Sequence, residues 1–515
     1  MRSHAGFNKL IAGLFVIGAI GGLYFQFASH KFLNNDTLAY INIAERYAAG
    51  DWPHAINGYW SPMYSWLLCI CHLTGLPLLQ SCYVINFIAA ALNLYVISAL
   101  ARRYLTHRMF YGAFGLYALL ILLHSAMSTL TPDLLAAFFC FWFLYLVTDK
   151  DFAFNNRLPW LAGIAAACAY FAKSYNFLPL NMALATWLLA ALIKKKAAGK
   201  KQPLPLIKTY GIFLFLSLLW IGALSIHENK LTFSTAGRFN HNLVGPYYRN
   251  AFPTNTQLLA PPFEEAYSIH TNPASLLNDY DWSPFNDTRS FHHQLLLIIN
   301  SIRGLIIIPD GTGAKWLVLL ASLLLIFINR KKIHTNTASG IHKVVFFCLC
   351  YPLLYLPLFV IDRYILVYIV LFHLLLFFIA QTAGVFINKK IFVPAVAIII
   401  AFSIVPFVRA AQRKLTHSTA EYAYYSNFYR RLPQFSFLQN QAIASDRYSM
   451  VEATQLCYYF NCRYYCTSTD YQYQSLKKFK IRFLIAKNDL SSFSFLHERG
   501  KILLEKETVY VYEIR

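Results

Sequence analysis

Long apolar runs recur along the chain, separated by short polar segments. A run of about 20 apolar residues is long enough to cross the hydrocarbon core of a bilayer as a helix. The candidate runs lie near residues 10–28, 81–101, 109–124, 134–148, 159–173, 177–193, 207–227, 316–329, 344–360, 365–381 and 391–407. With the weaker runs, the pattern predicts an α-helical polytopic membrane protein of about 11 to 13 transmembrane helices.

Two further apolar stretches carry interruptions. Residues 294–308 form a twelfth candidate, but Arg303 interrupts the run, so a short re-entrant or surface helix is an equal alternative. Residues 60–78 are apolar but contain Pro62, Gly75 and Pro77, which break a spanning helix. The first run is too long for a signal peptide and lacks a small-residue cleavage site, so we interpret it as a retained anchor.

Composition strengthens the membrane assignment. Charged residues make up 13% of the chain, against about 25% in soluble domains. The mean hydropathy is +0.43, and the many Phe and Tyr residues suit a protein whose rings lie at membrane interfaces.

The net charge of +22 reflects topology and does not indicate a nucleic-acid partner. Nineteen basic residues and two acids lie in the short segments at alternate ends of the runs, whereas residues 29–62 and 228–292 hold six basic residues and nine acids. Basic residues concentrate in cytoplasmic loops. The bias therefore predicts a cytoplasmic N-terminus, with both of these longer loops outside.

The chain changes character near residue 408. Residues 1–407 form the predicted transmembrane module, and residues 408–515 are polar with strand-like runs such as "IRFLIA" and "ETVYVYEI". We expect a small α+β domain on the periplasmic or extracellular side. Three cysteines in it, Cys457, Cys462 and Cys466, suggest one disulfide in an oxidising compartment.

Ionisable side chains stand beside apolar runs at three places, and such positions point to function by default. Asp36 opens the first outer loop, Asp133 precedes the run 134–148, and Asp362 lies between two runs. The predicted topology brings all three to the outer face, with cationic and aromatic neighbours: Lys173, Arg238, Arg363 and Tyr364. Carboxylates and cations that converge from distant segments predict a site.

Each acid also has a structural explanation. Asp36 precedes a helical pattern and could be its N-cap. Asp133 follows Thr131 and Pro132, where an acid in a first helical turn meets the helix dipole. Asp362 and Arg363 could form a local ion pair, or Arg363 could extend to the interface.

The first outer loop, residues 29–62, carries the order D-x3-Y, G-D-W and G-Y-W at Asp36, Tyr40, Gly50-Asp51-Trp52 and Gly58-Tyr59-Trp60. This order resembles the GT-C glycosyltransferases, closest to the protein mannosyltransferase and lipid A aminoarabinose transferase branch. "TPDLL" around Asp133 and "DRY" at 362–364 are similar to two further motifs of that group. The resemblance covers the first 200 residues well and the rest loosely.

The resemblance implies short interfacial helices in the first outer loop and an inverting transferase at the outer face of a bacterial inner membrane. The donor would be a sugar on a polyprenyl phosphate; the acceptor would be a lipid, glycan or protein. Asp36 would be the general base, and Asp133 would orient the acceptor or assist the base. The residues that would bind substrate are Tyr40, His54, Tyr59, Lys173, Arg238, Asp362, Arg363 and Tyr364, with Arg363 the leading phosphate ligand. No cofactor is assigned, and a divalent metal stays open, because Thr37 stands where many relatives carry a second acid.

Other functions make different demands on the sequence. A polyprenyl-linked glycan polymerase or ligase would place its catalytic basic residues in a late outer loop. A transporter would show paired halves and helices broken at the midplane. A membrane scaffold needs no converging acids. The sequence also has no Gly-rich phosphate loop and no nucleophile elbow, which disfavours a nucleotide-dependent catalytic domain.

Overall fold

The computed structural model describes residues 5–29, 33–198, 203–246, 256–274, 276, 281–309, 314–328, 340–386, 401, 424, 426–469, 471–504 and 507–515. Its α-helices are α1 (Ala5–Ser29), α2 (Asn35–Ala48), α3 (Trp52–Ala55), α4 (Pro62–Leu73), α5 (Leu78–Tyr104), α6 (Arg108–Ser128), α7 (Asp133–Val147), α8 (Arg157–Ala172), α9 (Phe177–Ala198), α10 (Pro203–His227), α11 (Ala236–Leu243), α12 (Thr288–Ile307), α13 (Ala314–Ile328), α14 (Ile341–Cys350), α15 (Leu366–Ala383), α16 (Met450–Phe460) and α17 (Tyr473–Lys478). The strands are β1 (Ala442–Ser445), β2 (Arg463–Thr467), β3 (Phe483–Ala486), β4 (Leu496–Leu503) and β5 (Thr508–Ile514).

Most of the predicted apolar runs form helices. Six helices of the described residues are long and apolar enough to cross a membrane, namely Gly6–Tyr24, Leu78–Tyr104, Arg108–Ser128, Ser174–Ile193, Pro203–His227 and Leu366–Ala383. Shorter apolar helices cover Asp133–Val147, Arg157–Ala172, Lys315–Ile328 and Ile341–Tyr355. The predicted run 391–407 lies outside the described residues, except for residue 401. The number of spans therefore stays a prediction.

Three stretches differ from their sequence expectation. Pro62 does not break the run 60–78; it occupies the first turn of α4, where a missing N–H costs nothing, and the helix ends before Gly75 (φ 81°). Arg303 does not interrupt α12, which is continuous. The run 344–360 is shorter than predicted, because α14 gives way to a 3-10 helix, Tyr351–Tyr355, that contains Pro352.

Contacts divide the chain into two compact units. The first unit comprises Met1–Gly22, Val84–Ala223 and Phe291–Gln412. In it α7 packs on α8, and α15 packs against α6, α7, α13 and α14. Gly163 brings α8 close to α10, since a Cβ there would lie 2.7 Å from the Ile212 side chain and the Thr209 carbonyl oxygen. Small residues allow such close packing between membrane helices.

The second unit comprises Leu23–Tyr83, Leu224–Ser290 and Arg413–Arg515. It contains the whole sheet, whose strand order is β2-β1-β3-β5-β4. β1 pairs in parallel with β2 and β3, whereas β5 pairs antiparallel with β3 and β4. The expected mixture of strands and helices in the C-terminal region is present. The boundary at residue 408 stays a prediction, because the unit also includes two earlier segments.

The predicted disulfide is absent from the structure. Cys457, Cys462 and Cys466 are all buried free thiols. The Cys457 thiol donates to the Cys462 carbonyl oxygen at 2.7 Å, and the Cys462 thiol donates to the Leu438 carbonyl oxygen at 3.2 Å. The three side chains behave as small core residues.

Candidate functional site

Asp133 begins α7, directly after Pro132, and its carboxylate has two side-chain donors. The Lys173 ammonium forms an ion pair with Oδ1, and the Thr131 hydroxyl donates to Oδ2 at 2.6 Å. Lys173 can reach Asp133 because α8 ends at Ala172 and the backbone at Lys173 is extended (φ −152°, ψ 115°). The Asp133 and Lys173 side chains are only 10% and 19% exposed, so the pair is largely removed from water.

Asp362, Arg363 and Tyr364 lie in the turn before α15. The Arg363 N–H donates to Asp362 Oδ1 at 2.8 Å, and its guanidinium donates to the Tyr364 hydroxyl at 3.3 Å. The Tyr364 ring also lies 4.1 Å from Lys173 Nζ, within the range of a cation–π contact. Tyr364 thus links the Asp133–Lys173 pair to Arg363.

A cavity of about 230 Å³ lies beside these side chains in the first unit. It is lined by Tyr117, Ile121, His124, Ser125, Ser128, Thr129, Thr131, Asp133, Leu134, Ile308, Pro309, Asp362, Arg363, Leu366 and Ile369. Its wall therefore combines two carboxylates, a guanidinium, an imidazole and several hydroxyl groups. Such a wall can form several hydrogen bonds with a polar ligand while apolar side chains complete the enclosure.

The second unit holds the other predicted site residues. Asp36 lies in the first turn of α2 and is half-buried. The N-cap of α2 is Asn34, whose side chain accepts from the Thr37 N–H at 2.7 Å. The capping role proposed for Asp36 is therefore wrong, and its carboxylate is not required for that purpose.

Tyr40 and Tyr59 pack on the same indole. The rings of Tyr40 and Tyr59 lie 4.9 and 4.5 Å from that of Trp60, each edge-on. The Tyr59 hydroxyl donates to Asn240 in α11 at 3.4 Å. Tyr40 is only 4% exposed, so it supports the loop from within.

Arg238, also in α11, forms an ion pair with Asp281 and donates from Nε to Asp281 Oδ1 at 3.0 Å. The pKa of Asp281 is lowered, chiefly by hydrogen bonds from Arg238 and Asn242. Both charged side chains are about half exposed. Arg238 thus already has a local carboxylate partner.

His54 lies beside acids. Its Nδ1 is 2.8 Å from Asp51 Oδ2, and its ring stacks on Phe263 at 4.2 Å. His54, Asp51 and Glu265 each offer one ligand atom, and these atoms lie within 4.8 Å of one another. One imidazole and two carboxylates are a ligand set that a divalent transition metal accepts, so among the described residues these three could hold such an ion.

The structure brings Asp133, Lys173, Asp362, Arg363 and Tyr364 together within the first unit. Asp36, Tyr40, His54, Tyr59 and Arg238 lie in the second unit. That the two groups form one site stays a prediction.

Two buried ionisable residues in the first unit were missed in the sequence. Lys315 Nζ donates to the Pro309 carbonyl oxygen at 2.8 Å and lies 2.6 Å from His373 Nε2. The His373 ring stacks on Tyr117 at 3.8 Å. Pro309 and Tyr117 also line the cavity, so the pair lies directly behind its wall. Lys315 lies directly before the apolar run 316–329 and His373 lies within the run 365–381, so the criterion that selected Asp362 would have found both.

The sequence matches no protein-family model and no curated protein sequence. The fold, however, matches the crystal structure of ArnT from Cupriavidus metallidurans bound to undecaprenyl phosphate. That match has a TM-score of 0.58 and 14% sequence identity, and it covers 99% of this chain and 98% of the other. At this identity the match shows the fold alone, and it confirms the predicted resemblance in fold to the GT-C glycosyltransferases. With the apolar helices, it identifies an integral membrane protein.

Proposed function

We propose that this protein is an inverting glycosyltransferase that moves a sugar from a polyprenyl phosphate to a hydroxyl group of a lipid, glycan or protein. The observation that carries the proposal is the cavity of the first unit, where carboxylates, a guanidinium and hydroxyl groups meet beside apolar helices. The full-length likeness in fold to ArnT with undecaprenyl phosphate supports the donor class. The reaction would take place at the outer face of a bacterial inner membrane, in line with the distribution of basic residues.

The donor demands a cation at its phosphate. Arg363 is the leading candidate, because a planar guanidinium matches phosphate oxygens in a bidentate manner and this one lines the cavity. Lys173 supports it at lower rank, since its charge is engaged by Asp133. Arg238 ranks third because Asp281 already binds it.

The sugar would occupy the cavity. At roughly 30 Å³ for each water molecule, about 230 Å³ holds the equivalent of seven or eight waters, which is enough for one monosaccharide. Asp133 is already an acceptor for Thr131 and Lys173, so its role is to orient the sugar or acceptor. Asp362 and the hydroxyl groups of the wall provide further hydrogen bonds, and Tyr364 holds the cations in place.

Asp36 would be the general base. Its carboxylate takes the proton of the acceptor hydroxyl while the acceptor oxygen forms a bond to the anomeric carbon. The bond from that carbon to the phosphate oxygen breaks on the opposite face, and the electron pair leaves with the polyprenyl phosphate. Tyr40 and Tyr59 support the loop that carries Asp36, through their shared contact with Trp60.

The test is single-turnover transfer by the purified protein from a panel of undecaprenyl-phosphate sugars: a neutral hexose, an N-acetylhexosamine and aminoarabinose. Asp36→Asn should lower the rate at saturating donor by about 10²–10⁴, the contribution expected of a positioned base. Asp287→Asn is the matched control, because it changes the same group at the start of α12, where Asn caps as well as Asp.

Wild-type transfer by Asp36→Asn would refute the assignment of the base. Products that grow by repeated addition, instead of a single transfer, would favour the polymerase alternative. An absence of transfer from every polyprenyl-phosphate donor in the panel would contradict the donor class.

A further inference from the structure

Asn35, the residue before the proposed base, connects three segments that are distant in the sequence. Its Nδ2 lies 3.2 Å from Nε2 of His270, and its Oδ1 accepts a hydrogen bond from the Thr454 hydroxyl at 3.1 Å. His270 belongs to the long loop 228–292, and Thr454 belongs to α16 of the C-terminal region. One amide thus joins the start of α2 to both of them.

Neighbouring contacts fix the same turn of chain. The Leu33 carbonyl oxygen accepts from Gln455 Nε2 at 3.0 Å, so α16 binds the chain on both sides of Asn34. Asn34 in turn caps α2 through Thr37. Hydrogen bonds therefore fix Leu33, Asn34, Asn35 and Thr37, and Asp36 lies within this short segment.

The two partners of Asn35 are themselves anchored. Thr454 is 2% exposed and lies in the first turns of α16, where its hydroxyl also lies 2.8 Å from the Met450 carbonyl oxygen. The His270 carbonyl oxygen accepts from the Trp60 indole at 2.8 Å, and Trp60 is the residue on which Tyr40 packs. Both partners therefore present fixed atoms to Asn35.

The directions of these hydrogen bonds indicate the tautomer and charge of the His270 ring. The single proton of the Thr454 hydroxyl has two acceptors within reach, the Met450 carbonyl oxygen at 2.8 Å and Asn35 Oδ1 at 3.1 Å. Donation to Oδ1 is the arrangement that matches the Asn35 amide as it is placed, with Nδ2 towards His270. In that arrangement His270 Nε2 accepts from Asn35, the ring proton lies on Nδ1 and the imidazole is neutral. The interaction is therefore specific for an acceptor at position 270 and a donor at position 454.

We infer that His270 and Thr454 are positioning residues, which act through the Asn35 amide to hold Asp36 in its reactive orientation. The inference rests on the proposed function, because it assigns them to the base of that reaction. It makes the long outer loop and the C-terminal region parts of the catalytic centre. Neither residue needs to touch substrate, and their effect reaches the reaction only through Asp36.

The experiment is a double-mutant cycle in single-turnover transfer with the full-length protein. Thr454→Val removes the hydroxyl at nearly constant volume and should lower the rate at saturating donor by about 10- to 100-fold, since a misplacement of about 1 Å costs about 10². The donor concentration for half-maximal rate should change less than about twofold, as expected when only the transition state is affected. Thr454→Ser keeps the donor and should retain the wild-type rate.

The cycle closes with Asp36→Asn. If Thr454 acts through Asp36, then Thr454→Val should change the residual rate of Asp36→Asn by less than about twofold. Recurrence of the same 10- to 100-fold loss in that background would overturn the inference. Thr467→Val makes the same change at a buried threonine of β2 and should leave the rate unaltered.

A second pair of variants guards against misfolding of the first. His270→Gln offers an amide oxygen to Asn35 and should retain most of the rate, whereas His270→Leu should lower it like Thr454→Val. An equal loss of rate in both variants would show that the rate does not depend on a hydrogen-bond acceptor for Asn35 at position 270. The two hypotheses fail differently: full activity of Asp36→Asn removes the base, while full activity of Thr454→Val and His270→Leu removes only the positioning residues.

Discussion

The contribution of the Asp133–Lys173 ion pair to the free energy of unfolding can be measured by mutation. Lys173→Met removes the charge and keeps most of the side-chain length. It leaves a largely buried carboxylate whose remaining side-chain donor, among the contacts described above, is the Thr131 hydroxyl. Removing one partner of a buried pair costs about 3–5 kcal/mol, because the other charge stays behind. We expect the lower end, about 3 kcal/mol, since 10% of the Asp133 side chain is exposed.

The reverse change should be milder. Asp133→Asn leaves Lys173 over the Tyr364 ring, at 4.1 Å, and a cation–π contact of this kind contributes about 0.5–2 kcal/mol. The double variant removes both charges and should be more stable than Lys173→Met alone. The coupling free energy between the two positions should therefore exceed about 1.5 kcal/mol.

The assay is unfolding of the detergent-purified protein by SDS in mixed micelles, which gives the free energy of unfolding of each variant. Lys208→Met serves as a control, because its ammonium makes a 3.5 Å hydrogen bond to Asn156 in an exposed setting. That variant should lie within about 0.5 kcal/mol of wild type. A loss below about 1 kcal/mol for Lys173→Met, or strictly additive effects in the double variant, would show that the pair is not a buried one.

Three further outcomes are expected. Burial lowers the pKa of His270 to about 4 against the opposing charge of Asp36. The histidine of the unfolded chain has a pKa near 6.5, so the unfolded state binds the proton first as the pH falls. The free energy of unfolding should therefore fall by about 3 kcal/mol between pH 6.5 and 4, and His270→Gln should remove this pH-dependent component. Arg363→Ala should weaken donor binding at least tenfold. Arg238→Ala loses a half-exposed ion pair, so it should change the free energy of unfolding by about 0.2–1 kcal/mol and donor binding less than threefold. Equal effects of the two variants on donor binding would contradict the ranking of the phosphate ligands. Reporter fusions at Lys200 and after Arg515 should give opposite signals, because the distribution of basic residues predicts that these positions lie on opposite sides of the membrane, and matching signals would contradict the predicted topology.

The sequence predicts the helices well because apolar runs report burial in a bilayer directly. The errors concern residues whose effect on a helix depends on their position within it. Pro62 is compatible with a helix in its first turn, yet the same residue type shortens the helical run at Pro352. Likewise, Asn34, Asn35 and Asp36 are three consecutive good caps, and only the backbone shows that Asn34 has that role.

The candidate site was predictable where a charge stood out against an apolar background. Asp133, Lys173 and Arg363 were found by that rule, and Lys315 and His373 satisfy it too. Thr454 and His270 follow no such rule, because a threonine or histidine in a polar segment is unremarkable. Their partner, Asn35, is more than two hundred residues away in each case, and no periodicity connects them.

The bond between Asn35 and Thr454 joins positions 419 residues apart, and this separation has a consequence for biogenesis. Chains are synthesised at about 5–20 residues per second, so Thr454 appears roughly 20–80 seconds after Asn35. Throughout that interval the start of α2 lacks its partner from α16 while the helices between them are being inserted. The nascent chain therefore carries the proposed base in an incomplete setting until synthesis is nearly finished. A truncated product that ends before residue 450 would reach the membrane with its helices but without the contacts from α16 that hold the proposed base.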